Sequence, residues 1–355
     1  MALVGAIDIP GAWTGGLLFS PGGHRLAIGL VPGAGARLAD VRTGELRELA
    51  PYVDPTYRKR WPHPAPIVDF AFTARGTALI GLTFTSVLLT WHVPSGELAR
   101  VRRSPAPPTT RYQSGPFGSI LMLRDGRVAQ IAPAGAAVSK GPRWVVTAIP
   151  GLIRAGIETD GGRDCGVVVR DTLGEEICDT RGHVISRVTG LHSGWTSVCG
   201  ADGGNALIAC TTAGRCQVWR RAHTTGLWRQ AADLPSKLSR PDVIGCSADV
   251  RYAMLWSSPP VELALPGAAP ATAGPAKFNT RGGAHLELLR LSDGVVLKSW
   301  TPHTPVPAVQ AAADIPAFRV AFAPSGELFA LAESGVASVR LYSIGSQGGA
   351  PKQER

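Results

Sequence analysis

A run of basic and aromatic residues is the clearest candidate for binding chemistry in this sequence. Tyr57, Arg58, Lys59, Arg60 and Trp61 are consecutive, with prolines on both sides of the run. Arg side chains and aromatic rings together suit contact with phosphate groups and stacked bases, or with an acidic protein surface. The alternative is a solvated loop in a chain that carries 36 Lys and Arg residues against 26 Asp and Glu, a formal net charge of +10.

Two further segments could extend the same surface. Residues 100–111 place arginines among prolines, and residues 258–284 place basic and aromatic residues in an Ala-, Pro- and Gly-rich sequence. Arg and aromatic side chains are the usual energetic anchors of protein interfaces. The residues predicted to contact a partner are therefore Tyr57, Arg58, Lys59, Arg60, Trp61, Arg103, Arg111, Lys277, Phe278 and Arg281.

Known catalytic and metal-binding motifs are missing from the sequence. The eight His residues are scattered, no HExxH or G-x-S-x-G pattern occurs, and the Cys and His residues lack metal-ligand spacing. We therefore predict no catalytic residue, no cofactor, no metal and no small-molecule substrate. An enzyme stays open as an alternative, because residues far apart in a sequence can converge on one site.

The six Cys residues all lie between positions 165 and 246, without the spacing of a zinc site or a disulfide framework. Cys210 and Cys216 flank a predicted hairpin turn and could face each other, but we expect buried free thiols there. No apolar run is long enough to span a membrane, and no basic residue precedes Arg25. These features predict a cytoplasmic protein without a transmembrane segment, signal peptide or transit peptide.

Short apolar runs alternate with turns along the chain, and no long helical period appears. One turn type recurs at Ser20–Gly23, Thr73–Gly76, Arg124–Gly126, Asp160–Gly162, Asp202–Gly204, Ser247–Val250 and Pro324–Gly326. A second type follows at Thr43–Glu45, Ser95–Glu97, Thr180–Gly182, Thr224–Gly226 and Ser292–Gly294, with a weak form at Gly141–Pro142. Two short strands fit between a turn of the first type and the next turn of the second type. The pattern predicts four strands per unit of about 36 to 53 residues, the spacing of propeller blades.

Three of these units resemble the blades of WD-repeat proteins. They are residues 17–29 with 36–46, residues 68–82 with 87–98, and residues 318–344. Trp91 stands where the family has the Trp of its Trp-Asp pair and is followed by His92, and Trp219 is a second match. The resemblance implies a closed β-propeller of four-stranded antiparallel blades. We expect Trp91 and Trp219 to pack between blades.

The seven turns of the first type predict an all-β fold with a single seven-bladed propeller over residues 1–345. The blades are placed at about 12–50, 66–103, 115–149, 151–188, 192–234, 240–301 and 316–345. The last unit ends after its third strand, and residues 2–9 form a spare strand-like run. WD-repeat rings commonly close with an N-terminal strand, so the resemblance implies that residues 2–9 complete the last blade. Residues 346–355 are predicted to be a flexible polar tail.

Four connections are longer than their counterparts, namely residues 51–65, 104–116, 258–284 and 302–315. By the resemblance, the two turn types lie on one face of the ring and these connections on the other, the top face. They fall on the contiguous blades 6, 7, 1, 2 and 3, which predicts a raised wall on one side of that face. Long loops in a compact ring are more often functional or disordered than neutral.

The sequence therefore favours a non-catalytic protein–protein interaction scaffold. Its top-face loops would be presented to a partner protein with an acidic surface, or to other subunits of a larger assembly. One alternative is nucleic-acid or anionic-surface binding through the same basic loops, which would weaken steeply with salt. A second alternative is a propeller hydrolase.

Overall fold

The secondary-structure elements of the described residues are β-strands. A computed structural model describes residues 1–9, 13–31, 35–55, 66–83, 85–103, 119–123, 125, 127–132, 135–140, 143–148, 152–159, 164–170, 175–181, 183–188, 195–201, 204–211, 213–222, 227–236, 238, 241–257, 285–301, 318–333 and 336–345. In this part of the chain, the strands pair into seven four-stranded antiparallel sheets, numbered here as blades 1 to 7 in chain order. In the same described residues, no helix is long and apolar enough to cross a membrane.

The first four blades follow one another without a gap in strand order. Their strands are β2 Trp13–Phe19, β3 Arg25–Val31, β4 Ala36–Asp40 and β5 Leu46–Glu48 in blade 1; β6 Ile67–Phe72, β7 Ala78–Thr83, β8 Val87–His92 and β9 Leu98–Arg103 in blade 2; β10 Ser119–Met122, β11 Val128–Ala132, β12 Gly135–Lys140 and β13 Arg143–Ala148 in blade 3; and β14 Leu152–Thr159, β15 Asp164–Arg170, β16 Glu175–Asp179 and β17 Val184–Val188 in blade 4.

The last three blades complete the ring, and β1 at the start of the chain belongs to the last of them. The strands are β18 Trp195–Ala201, β19 Ala206–Thr211, β20 Cys216–Arg221 and β21 Trp228–Leu234 in blade 5; β22 Asp242–Cys246, β23 Tyr252–Ser257, β24 His285–Arg290 and β25 Val296–Trp300 in blade 6; and β26 Phe318–Phe322, β27 Leu328–Glu333, β28 Ser338–Ser343 and β1 Ala2–Asp8 in blade 7.

The first strands of the seven blades meet around the centre of the molecule. Strand β2 contacts β6, and the contacts continue through β10, β14, β18 and β22 to β26, which returns to β2. The ring is closed by β1, which pairs antiparallel with β28 so that Ala6 lies opposite Arg340 and Asp8 opposite Ser338. The predicted propeller of four-stranded antiparallel blades and its closure by residues 2–9 are therefore observed. Strand β1 is thus the outermost strand of blade 7 and covers the edge of β28.

Burial explains why the strands are apolar to different degrees. Every residue of β19 is buried, because this strand lies inside its blade and has neighbouring blades on both faces. The outermost strand β9 has only partly buried and exposed residues. Continuous apolar runs therefore mark the inner strands, and mixed sequence marks the outer ones.

The recurring turns are tight hairpins. The N–H of Gly23 donates to the Ser20 carbonyl at 2.8 Å, and Gly23 has a φ of 73°, a conformation that favours Gly. Val250 occupies the same position of its turn with a φ of 59°. The Ser247 hydroxyl supports that strained turn by accepting the N–H groups of Arg251 and Tyr252 at 3.1 and 2.9 Å. The Ser20 hydroxyl accepts the Arg25 N–H at 3.1 Å in the Gly23 turn, so the two turns share this support.

The prediction of free thiols is wrong for four of the six cysteines. Cys210 lies directly opposite Cys216 in the β19–β20 pairing, and the two form a disulfide. A second disulfide joins Cys199 to Cys246 and so links the innermost strands of blades 5 and 6. The 47 residues between Cys199 and Cys246 hid their proximity, because only ring geometry makes β18 and β22 neighbours. The argument from reduced thiols to an intracellular location loses its support, since disulfides persist in oxidising compartments.

The two matched tryptophans pack between blades, as predicted. Trp91 is buried in a cluster that includes Leu38 of blade 1 and Phe70 of blade 2. Its indole N–H donates to the Ala50 carbonyl at 2.9 Å. Trp219 of blade 5 is buried in a cluster that includes Ile177 of blade 4, and it meets Trp195 edge to face at 5.8 Å between centroids. Both indole side chains therefore stabilise the contacts between neighbouring blades.

Candidate functional site

Most of the predicted partner-binding residues lie outside the described residues. These are Tyr57, Arg58, Lys59, Arg60, Trp61, Arg111, Lys277, Phe278 and Arg281. The predicted tail 346–355 also lies outside the described residues. Of the four long connections, the structure describes only residues 51–55. Arg103 is described, and it identifies the place where the first connection joins the ring.

The strand order places all four long connections at equivalent ends of the blades. Three of them join the last strand of one blade to the first strand of the next, and residues 258–284 join β23 to β24 within blade 6. Because strands alternate in direction, these connections all leave from the ends opposite the two hairpin turns. We call these ends the long-connection end of the ring. The raised wall itself remains a prediction.

A buried carboxylate anchors the start of the first long connection. The Asp54 side chain is completely buried, and its Oδ2 accepts the Thr85 hydroxyl at 2.9 Å. Arg103 Nη2 lies 3.4 Å from both carboxylate oxygens. Thr85 belongs to the β7–β8 connection and Arg103 ends β9, so both partners come from blade 2. The segment that leaves blade 1 is therefore fixed to blade 2 just before the basic-aromatic run begins.

The β7–β8 connection is built to receive that carboxylate. Thr83 Oγ1 lies 3.0 Å from Thr85 Oγ1 and accepts the Val87 N–H at 2.9 Å. Ser86 has a φ of 60°, and its N–H donates to the Thr83 carbonyl at 3.0 Å. A buried carboxylate is costly unless it is paired and hydrogen-bonded, and this network supplies both. The Asp54 anchor, which we define as Asp54, Thr85 and Arg103, is thus preorganised.

Arg103 pairs with Asp54, and its contact with a partner stays a prediction. Its side chain remains 60% exposed while its guanidinium pairs with Asp54. Asp54 and Thr85 were not predicted from the sequence, because both are common surface residue types. One signal was available, since Asp54 is the single acid in the 51–65 connection of an Arg-rich chain.

The neighbouring outer surface of blade 2 is also basic. The Arg102 guanidinium carbon lies 5.2 Å from the ring centroid of Trp144 on blade 3. Burial against the neighbouring blade lowers the pKa of Arg102, and the nearby positive charge of Arg100 lowers it further. The outer strand β9 therefore carries positive charge toward both adjacent blades.

The centre of the ring is held by side chains that reach the next innermost strand. Ser197 Oγ of β18 accepts the Val243 N–H of β22 at 2.8 Å. Arg319 of β26 donates from Nε to the Gly15 carbonyl of β2 at 3.0 Å, and burial lowers the pKa of Arg319 to about 10. Among the described residues, no group of three or more His, Cys, Asp or Glu could hold a metal ion. What the arrangement provides is a rigid frame.

Comparison with known proteins agrees with the fold. No protein-family model and no curated protein matches the chain. Among solved structures, the chain is similar to the Cps50 (Swd1) β-propeller domain from Myceliophteria thermophila, with a TM-score of 0.67 and 12% sequence identity. The match covers 96% of this chain and 100% of that one. The likeness supports the β-propeller fold and carries no statement about partners.

Proposed function

We propose that this protein is a non-catalytic scaffold that binds a partner protein through its long-connection end. The observation that carries the proposal is the Asp54 anchor, because it fixes residues 51–55 to blade 2 immediately before Tyr57–Trp61. Burying a carboxylate costs free energy unless it is paired and hydrogen-bonded, and a connection that served only as a spacer would not need such a group at its start.

The proposed mechanism is presentation from a rigid frame. The disulfide between blades 5 and 6 and the hydrogen bonds between innermost strands limit relative movement of the blades. A preorganised surface loses less entropy on association than a mobile one. Arg103, 60% exposed and held by Asp54, would present its remaining donors beside the basic-aromatic run. Arg111, Lys277, Phe278 and Arg281 would extend this surface along the wall.

The proposed partner is an acidic protein surface, alone or within a multi-subunit assembly. The formal net charge of +10 favours encounter with acidic surfaces. Arg forms bidentate pairs with carboxylates, and Trp and Tyr supply apolar area around them. A nucleic acid or anionic surface would engage mainly the charges, whereas a protein would also bury the rings.

Affinity capture with matched variants tests the proposal. The test variant carries Arg58, Lys59, Arg60 and Trp61 changed to Ala. The charge-matched control carries Arg42, Arg75 and Arg181 changed to Ala, three exposed residues in the hairpin turns. We expect the test variant to lose a protein partner that the control retains, with binding that weakens only mildly between 50 and 200 mM salt, about the range over which nucleic-acid binding collapses. Retention of the same partners by both variants would overturn the proposal.

A further inference from the structure

The two outer strands of blade 5 carry a pair of like charges that face each other. In the antiparallel β20–β21 pairing, Arg220 lies directly opposite Arg229, and both side chains are exposed. Side chains in such positions have Cβ atoms about 4.5–5.5 Å apart, and like charges there repel each other. The pair is a site where an anion would relieve repulsion.

The chain supplies no acid to this pair from its own hairpin. The sequence from Cys216 to Ala232 contains no Asp or Glu. Asp233, the next acid, accepts hydrogen bonds from the amides of Gln217 and Gln230 at 3.0 and 2.8 Å. Within the described residues, neither Arg220 nor Arg229 forms an ion pair.

The equivalent hairpins of blades 1 and 6 differ in this respect. In blade 1, Asp40 accepts the N–H groups of Arg42 and Thr43 at 3.0 and 2.9 Å. In blade 6, Arg290 Nε donates to Asp293 at 2.9 Å. Blades 1 and 6 thus place an acid at this turn, whereas blade 3 resembles blade 5, because Lys140 lies opposite Arg143 in the β12–β13 pairing.

The same place has a free strand edge. Strand β21 is the outermost strand of blade 5, and among the described strands it pairs with β20 alone; β17 of blade 4 approaches it without joining the sheet. Arg229, Gln230 and Ala231 are exposed in a row along it. Such an edge presents backbone N–H and C=O groups that can pair with another extended chain.

We propose that β21 accepts an extended acidic segment of a partner protein as a fifth strand of blade 5. One carboxylate of that segment would lie opposite Arg229, on the same sheet face as Arg220, and would bond both guanidinium groups. A peptide is favoured over a free phosphate because only a peptide can pair with the exposed backbone as well as with the arginines. This docking surface lies outside the predicted wall, so it stands or falls separately from the function proposed above.

Fluorescence anisotropy with a synthetic peptide tests the docking surface. The probe is a labelled seven-residue peptide, Thr-Glu-Val-Glu-Thr-Glu-Val, and its control has Gln in place of Glu. We expect the intact protein to bind the Glu peptide at least about tenfold more tightly than the Gln peptide. A double variant, Arg220→Gln with Arg229→Gln, is expected to lose at least about tenfold in affinity. Arg42→Gln with Arg100→Gln, two exposed arginines on blades 1 and 2, is the charge-matched control and should bind within about twofold of the unchanged protein.

Two further arms separate strand addition from simple charge attraction. A Glu peptide N-methylated at alternate residues, prepared in both registers, keeps its charge but loses backbone donors. We expect at least one register to lose most of its binding, and equal binding of all three peptides would overturn strand addition. Inorganic triphosphate that displaces the peptide completely at equal charge concentration would assign the pair to free anions instead.

The variants also report on folding. Removing both repelling charges should leave the thermal midpoint unchanged or raise it, so lost binding cannot be attributed to unfolding. Unchanged peptide binding by the Arg220→Gln, Arg229→Gln variant would overturn the proposal. The variant with Arg58, Lys59, Arg60 and Trp61 changed to Ala should bind the peptide normally, which distinguishes this surface from the long-connection end.

Discussion

The carboxylate of Asp69 accepts the backbone N–H of Ile120 at 2.8 Å and so joins the innermost strand of blade 2 to that of blade 3. Its second oxygen accepts the Phe70 N–H at the same distance. Ser197 makes the corresponding bond from blade 5 to blade 6. Side chains of different types therefore make equivalent hydrogen bonds at different blade junctions. Each accepts a backbone N–H from the innermost strand of the next blade and so links the two blades.

Asp69 gives the ring a pH dependence of a defined sign. Burial raises its pKa from the ordinary 3.8 to about 6 in the folded protein. Between these values the folded state holds more protons than the unfolded state, so this group lowers the free energy of unfolding as pH rises from about 4 to about 6. Asp69→Asn should remove that decline, as measured by urea unfolding at several pH values. Asp40→Asn is the control of opposite sign, because backbone N–H groups from Thr43 lower the pKa of Asp40. An unchanged decline in Asp69→Asn would contradict this assignment.

The two disulfides should differ in their contribution to stability. The Cys199–Cys246 bridge spans 47 residues and the Cys210–Cys216 bridge spans 6. Loop-closure entropy predicts about 4 kcal/mol for the first and about 2 kcal/mol for the second. Double Cys→Ala variants, unfolded in urea without reductant, should follow that order. The reverse order would show that Cys199–Cys246 does not restrain the ring, and mass spectrometry of alkylated protein checks that both bridges are present.

The Asp54 anchor should matter for partner binding although Asp54 itself cannot touch a partner. Asp54→Asn leaves the Thr85 hydroxyl without a carboxylate and releases Arg103, with an expected loss of about 1–3 kcal/mol in stability. We expect partner capture to fall as it does for Arg103→Ala, and hydrogen exchange of residues 83–87 to accelerate. Normal capture with accelerated exchange would separate the anchor from binding and contradict its positioning role.

The closing strand β1 should contribute through its inward side chains. Ile7 is 2% exposed and packs in a cluster with Val339 and Leu341, whereas Leu3 is 58% exposed. Ile7→Ala should therefore cost about 2–5 kcal/mol in the free energy of unfolding, and Leu3→Ala almost nothing. Denaturant unfolding of both variants measures the difference. Equal effects would mean that β1 does not seal the ring as described.

The sequence revealed the features that repeat, because turn chemistry is local. Gly23 and Gly76 indicate hairpin turns, and each turn joins two short apolar runs that form strands. Residues 2–9 were a spare strand-like run, and the last blade lacked one strand, which β1 supplies. What it did not reveal depends on contacts between blades. Cys199 and Cys246 meet only because the ring makes β18 and β22 neighbours.

The site was predictable only in part for the same reason. Arg103 stood out by its residue type, but its partner Asp54 lies 49 residues earlier in the chain. Asp69 gave no local sign that it would bond a strand of the next blade. Residue composition identified the basic segment, and tertiary contacts alone identified the acid that anchors it.

Photo-cross-linking from position 61 tests the central claim most directly. Trp61 is replaced by benzoylphenylalanine in the intact protein, and Arg42, exposed in a hairpin turn, is replaced in the control. We expect the probe at position 61 to form a discrete cross-linked product with a partner protein. This product should be insensitive to nuclease and should not form with the probe at position 42. The same products from both positions, or a nuclease-sensitive product from position 61, would contradict the claim that the long-connection end presents a protein-binding surface.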